Sequence, residues 1–546
     1  MSRAPLLVLL CACTPVVPSG GTVAVVDETP ASADGGADGA DGDEPDPDDT
    51  GDPMVPVAAC GLQHDLEDVW FTEGDTITFT VGCAETGEGA RPELAVVGAS
   101  DTATLDQDSG GFVWPTDGRD GGRHDLILTA SRGTDAAPET QVVTLWIADR
   151  VDAPNASAPE PLRYTEEWGL PVVHIQVDDT LTETEQDAVL TVRDTQVTGA
   201  AKIRGASSAG YPKTSFTLDF ESDELGVTEW GERTREHMVL ITPFDDNSYV
   251  RQKLAYDLWA AMGTHMGDHR LTPRTFFTVV YINGVYQGLY IGCDRIDDEF
   301  IRHMGLDGEG QMYKAVSHDA NFKLEDSSGR PKSSLGAGYE KTEGDDGDWS
   351  DLNALVTFTG TADGDTLLAE GGDWIDINEF VDWYLFVRLI LAEDSAGKNA
   401  YLFREPDTTA FRFVPWDMNH AFGQNWYTAR TSARTNNEYE WNNGVFMVLN
   451  DHEEGLALLR SRYTTLREPG GPFDPSWMHA QIDEYEAILG PAIARDWDRW
   501  GSSYRSYDRW RSARNSADDW TDPTGELAYL HAWIDARVDV QDGIGW

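Results

Sequence analysis

The sequence predicts an α+β protein in which a small all-β sandwich precedes a larger domain, its strands weighted to the front and its helices to the back. Three observations predict it. Between residues 55 and 150, short alternating segments such as Thr76–Val81 and Gln141–Ile147 are separated by Gly, Asp and Pro turns, the pattern of an Ig-like antiparallel sandwich. Further strand-like runs follow at Leu170–Val177 and Ala188–Val192. Helical patterns then occupy Val250–Met262, Asn378–Glu393 and Met478–Leu489, the second opened by Asp376 with Glu379 three residues on, a capping-box spacing.

The chain has 546 residues, too many for one hydrophobic core. Its 19 Trp, 18 Tyr and 19 Phe are ample for packed interiors. Lys and Arg number 40 against 96 Asp and Glu, a formal charge of −56, and such a surface repels a phosphate backbone, so nucleic acid is not an expected partner.

Residues 1–20 read as an export signal: Arg3, then a short apolar run from Leu6 to Leu10, then small residues. That run is too short to span a bilayer. Leu10, Cys11, Ala12 and Cys13 resemble a bacterial lipobox, which implies a lipidated Cys13 as mature N-terminus, with plain secretion as the alternative. Residues 21–54 form an acidic tether: from Asp27 to Pro53 there are eleven acidic residues and no basic one, and too little apolar surface to fold. The expected address is extracytoplasmic, at the cell envelope, with the membrane touched only through the N-terminal lipid. Cys60 and Cys83 are close enough in an exported segment for a disulfide, and Cys293 reads as a buried structural thiol. Residues 151–165, with three prolines between Val151 and Pro161, read as a linker, and residues 166–546 as the second domain.

Two stretches of that domain carry chemistry. Lys202 to Lys213 is a Gly- and Ser-containing turn entering the strand Thr214–Phe220; backbone N–H groups in such a turn can approach phosphate oxygens while a lysine supplies counter-charge. By itself it is better read as a hairpin with a surface lysine. The run from Glu379 to Leu391 is apolar on nearly all sides, so it predicts a buried helix that delivers Asp394 at its end. A polar loop to Asn399, the strand Ala400–Arg404, a turn and the strand Phe411–Pro415 follow. If Arg404 pairs with Phe411, the antiparallel register sets Asn399 opposite Trp416 and Lys398 opposite Asp417. Asp, four residues, Asn, a hairpin and a second Asp is the order in which protein kinases place the aspartate that orients the accepting hydroxyl and the two magnesium ligands. Magnesium suits one or two protein carboxylates completed by water and phosphate oxygens.

These residues resemble the CotH kinase family of spore-coat proteins from about Gly169 to beyond Trp500. The family's motifs stand here as Arg204, Gly205, Ser207, Ser208, Pro212 and Lys213; as Asp246 through Arg251 with Met262 and Gly263; as Asn283, Gly284, Tyr286, Gly288 and Tyr290; and as Pro415, Trp416 and Asp417 with Phe422 and Gly423. The resemblance implies an atypical, reduced protein-kinase fold that transfers the γ-phosphoryl group of ATP to Ser or Thr of extracytoplasmic proteins with Mg2+, or Mn2+ in its place. It makes Lys213 the phosphate-pairing lysine, Asp394 the catalytic aspartate and Asn399 and Asp417 the metal ligands, with Arg204 and Ser207 in the turn over the nucleotide phosphates. Two positions depart from the family. Asn419 stands where a second Asp is common, and Cys293, Asp294 and Arg295 stand where a Glu is common, leaving Asp294 as a substitute partner for the lysine. The alternatives are a pseudokinase or surface-anchored scaffold without turnover and, further off, a hydrolase using Asp394 and Asp417 as paired carboxylates.

Overall fold

The computed structural model describes residues 60–544, apart from 68, 85–90, 118–119, 121, 132–137, 149–160, 163, 194, 221–224, 227–229, 232–233, 437–438 and 512–521. The signal, Cys13, the tether and most of the linker fall outside the described residues. The front of the chain is a sandwich of two four-stranded sheets. In the strand Thr76–Cys83 every second residue from Ile77 to Val81 is buried, and these pack with Trp114, Leu126, Leu128 and Leu145. Cys60 and Cys83 are joined by a disulfide at the sandwich edge.

The larger domain is α+β with the strands of its main sheet weighted to the front, although the helix Arg251–Met266 precedes two of them and the hairpin of Ala400–Arg404 and Arg412–Pro415 follows the helix Ile377–Ile390. Its main sheet closes on itself. Strands Gln186–Val192, Thr195–Arg204, Ser215–Phe220, His237–Ile241, Val285–Cys293 and Thr275–Ile282 follow one another in antiparallel register, and Leu170–Gln176 joins the ends. It pairs parallel with Thr275–Ile282 on one side and antiparallel with Gln186–Val192 on the other. A closed sheet has no free edge, and alternate residues fill its interior. Val173, Ile175, Leu190, Phe216, Leu218, Leu240 and Val280 do so here, while the intervening Val172, Val279 and Leu289 face the helices.

His174 lies among those outward residues, stacked on Tyr281 with Nε2 2.7 Å from the Tyr164 carbonyl oxygen. Burial pushes its imidazole down from 6.5 to about 4. A depressed histidine means that the folded state rejects a proton which the unfolded chain accepts, so this contribution to stability is complete above pH 6.5 and is lost as the pH falls toward 4. Chemical denaturation at pH 7 and pH 5 is expected to show the parent losing about 2 kcal/mol more than His174→Gln.

Behind the barrel, the helix Arg251–Met266 packs on the long apolar helix Ile377–Ile390, in which every residue from Glu379 to Ile390 is buried. Asp376 caps that helix by accepting from the N–H groups of Asn378 and Glu379, but Glu379 does not complete the box. Its carboxylate instead accepts from the Phe413 N–H at 2.8 Å, tying the helix start to the hairpin. The hairpin belongs to a second sheet, ordered Tyr339–Glu343, Gln311–Ala315, Ala400–Arg404, Arg412–Pro415. The helix Pro475–Ser506, kinked at Gly490 and Pro491, then brings its second half against the strand Val285–Cys293. Among the described residues no helix is long and apolar enough to cross a membrane.

Candidate active site

A cleft of about 780 Å³ opens where the barrel meets the second sheet. One wall is the end of the Thr195–Arg204 strand and the turn beyond it. Gly205 has φ +117°, and a Cβ there would stand 2.2 Å from the Ser208 Oγ, so only glycine lets the turn fold back on itself. Arg204 and Ser207 both line the cleft, and the Arg204 guanidinium lies 5.1 Å from the Trp416 ring centroid.

The opposite wall is the hairpin. Its register pairs Ala400 with Pro415 and Phe403 with Arg412, and the Trp416 N–H donates to the Asn399 carbonyl oxygen at 3.0 Å. That is the register expected from pairing Arg404 with Phe411, so Asn399 and Asp417 flank the open end of one ladder. Both have left-handed backbones, with φ of 59° and 60°. Asp394 follows the long helix, whose end is set by Leu391 in the left-handed region. Lys398 Nζ sits 2.8 Å from Asp394 Oδ2 and His318 Nε2 3.4 Å from Oδ1. The contacts from His318 and Lys398 hold the Asp394 carboxyl well below the usual carboxylate range. It is therefore a poor base and a permanent hydrogen-bond acceptor.

Asn419 also faces the cleft. Its Nδ2 donates to Asp245 Oδ2 at 2.7 Å, while its buried Oδ1 has no hydrogen-bond partner among the described residues. Burial, with Asp417 close by, pushes the Asp245 carboxyl up to about 6 against the opposing pull of His420. Asn399, Asp417, Asp245 and Asn419 all line the cleft, and their side chains offer oxygen donors of the kind a hard cation such as magnesium or manganese takes. An amide oxygen can ligate a hard cation as a carboxylate oxygen does, with less charge.

Lys213 is not brought to the cleft. It is 2% exposed, its Nζ 2.5 Å from Asp496 Oδ2 and 2.6 Å from the Leu289 carbonyl oxygen, with the Tyr290 ring 4.8 Å away. Asp496 comes from the kinked C-terminal helix and also accepts from the Leu289 N–H and the Tyr249 hydroxyl. Asp294 is not the partner either: it is buried against Arg235 and accepts from the Arg274 N–H. The segment from Asn283 to Tyr290 builds this pair. Gly288 has φ +119°, and a Cβ there would meet Asp496 Oδ2 at 2.1 Å. Cys293 is a free, fully buried thiol.

The cleft has another lysine. Lys314, on the Gln311–Ala315 strand, lines it beside Arg204, and burial with that neighbouring charge pushes its ammonium down. Among the described residues neither Lys314 nor Arg204 has an ion-pair partner, so both are free to meet an anion. No motif marks Lys314 in the sequence; pairing of its strand with Ala400–Arg404, which sets Lys314 opposite Tyr401, is what brings it in.

Residues 201–540 match the CotH kinase protein family, and the chain belongs to it. It is 26% identical over 247 residues to the inner spore coat protein H of Bacillus subtilis (strain 168), a match covering 45% of this chain and 65% of that protein. The chain thus spans just under two thirds of the length of this relative. Among solved structures, the Helicobacter pylori proinflammatory kinase CtkA is 11% identical, with a TM-score of 0.23 over 61% of this chain and 94% of that one. The endo-fucoidan hydrolase MfFcnA4 of glycoside hydrolase family 107 is 12% identical, with a TM-score of 0.12 over 28% of this chain and 25% of that one. Neither likeness bears on the site.

Proposed function

We propose that this chain is an atypical protein kinase that transfers the γ-phosphoryl group of ATP to Ser or Thr hydroxyls of extracytoplasmic proteins. The observation that carries this reading is the cleft itself, which sets Arg204, Lys314 and a glycine turn across from Asp394, Asn399 and Asp417. In phosphoryl transfer a protein mainly positions groups and stabilises charge, and these walls supply both. Arg204, Lys314 and the N–H groups after Gly205 receive the phosphates. The carboxylate of Asp394, held by Lys398 and His318, accepts a hydrogen bond from the incoming hydroxyl and aims its lone pair. Asn399, Asp417 and Asn419 are the residues that would hold magnesium, which when bound neutralises the developing phosphate charge. Lys213 has no part at the phosphates in this scheme.

An address outside the cytoplasm, through a lipidated Cys13 or by plain secretion, is the reading that the export signal and the lipobox-like residues support, and the spore-coat name of the Bacillus relative accords with it. The deciding experiment uses the full chain: thermal shift with ATP and Mg2+ or Mn2+, then phosphotransfer followed by intact mass. A rise in melting temperature with transfer of a phosphoryl mass supports the kinase. Binding without transfer selects the pseudokinase, and no nucleotide effect rejects the kinase and leaves the scaffold. Arg204→Ala and Lys314→Ala are each expected to raise the Kd for magnesium ATP about tenfold, the worth of one charge-assisted contact, measured by calorimetry.

A further inference from the structure

A second group of ligand-type side chains lies at the opposite end of the barrel strand that reaches the cleft. The strand runs from His237 to Ile241, and Ile241 and Thr242 line the cleft while His237 begins the far end. His237 Nδ1 stands 3.2 Å from Asp297 Oδ2 and 3.6 Å from Glu299 Oε2, and the three atoms lie within 4.8 Å of one another. Four-coordinate zinc with bonds of 2.0–2.1 Å spaces its ligand atoms about 3.3 Å apart.

Both carboxylates are fixed in place by backbone donors. Asp297 caps the short helix Asp298–His303, its Oδ1 accepting from the Phe300 N–H at 3.0 Å. Glu299 accepts from the Glu236 N–H through both oxygens, at 2.9 and 3.0 Å. Asp297 is 5% exposed, and among the described residues its Oδ2 and His237 Nδ1 face each other without the direction of a hydrogen bond; the two carboxylates strengthen the hold of the ring on a proton, which an incoming metal ion would displace. The cation nearest Asp297 Oδ2 apart from His237 is Arg295, with Nε at 3.7 Å, a side chain 45% exposed that also reaches Asp219 Oδ1 at 3.0 Å. On the other side of the ring, His237 Nε2 faces Asp219 Oδ1 at 3.4 Å. A carboxylate behind the outer nitrogen of a histidine fixes the tautomer and turns the inner lone pair toward a metal.

We propose that His237, Asp297 and Glu299 bind a divalent transition-metal ion of the zinc class, with Asp219 as the positioning carboxylate. One imidazole nitrogen and two carboxylate oxygens, completed by water, suit zinc better than magnesium, which prefers oxygen alone. The ion is structural, fastening the turn and short helix after the Val285–Cys293 strand onto the start of the His237–Ile241 strand.

The test uses the full chain, stripped with a chelator and dialysed, with Zn2+ affinity read by competition with a chromophoric chelator and stability by thermal melting. Asp297→Asn keeps a capping side chain and Glu299→Gln keeps an acceptor for the Glu236 N–H, so both are expected to fold. Each is expected to weaken the tightest zinc site at least tenfold and to remove the zinc-induced rise in melting temperature. Asp219→Asn is expected to weaken it about tenfold through the ring. His452→Ala and His531→Ala, at the exposed Asp365–His452–Glu454 group and the His479–His531 pair, are expected to leave that site unchanged. Equal zinc affinity in the parent and Asp297→Asn, or loss of the tightest site in His452→Ala or His531→Ala, overturns the proposal.

Discussion

Replacing Asp394 by asparagine is expected to lower phosphoryl transfer by about 10³-fold while magnesium ATP still binds and the melting temperature stays near that of the parent. Asn keeps the shape of the side chain and a single acceptor, but it loses the charge that Lys398 and His318 hold in place. Because those partners keep the carboxyl far below its ordinary range, the rate is not expected to follow the titration of Asp394 between pH 5 and 8. On the proposed mechanism its contribution would be orientation and negative charge at the attacking hydroxyl rather than storage of a proton. Initial rates across that pH range, with the intact mass of the product, check both statements. Asp417→Ala is the companion variant: it is expected to lose transfer together with the metal dependence of nucleotide binding, which separates a ligand from a hydroxyl-orienting group.

Lys213→Met is expected to cost about 3–5 kcal/mol of folding stability, because it leaves Asp496 charged, buried and short of its counter-ion. The two side chains are 1% and 2% exposed, so solvent cannot take over the lost role. Burial pushes the lysine pKa down and Asp496 pulls it back, the balance of a pair held together by mutual need. The result discriminates sharply. A lysine that contacts phosphate would give a stable, inactive variant, whereas this one is expected to lower the chemical-denaturation midpoint first. Asp496→Asn is expected to be destabilised too, and the double variant Lys213→Met with Asp496→Leu to recover part of the loss, since an apolar pair of similar volume needs no compensation.

The parts of this site that are local in sequence are legible there. The buried helix from Glu379 to Leu391, the turn at Arg204 and the hairpin register that sets Asn399 opposite Trp416, next to Asp417, each follow from periodicity or from strand pairing across a few residues. Lys213 escapes such reading because its partner lies 283 residues away, and nothing near either residue announces the other. Even the glycine that makes room for the pair, Gly288, reads in sequence only as one more motif position. Closure of the barrel is equally hidden, since it depends on a parallel pairing between Leu170–Gln176 and Thr275–Ile282 with six strands between them in the chain. Lys314 reaches the cleft through the pairing of two strands whose own sequences look ordinary.

Asn399 and Asp417 both sit in the left-handed backbone region, where asparagine and aspartate are the side-chain-bearing residues most at ease. Exchange of one for the other at either position therefore strains nothing and leaves the hairpin intact. A lineage of such proteins could vary the charge that these positions offer a metal ion by single nucleotide changes while keeping a fully folded body. The Asn-or-Asp choice at 399, 417 and 419 is thus a record of how much negative charge the cleft of each relative keeps.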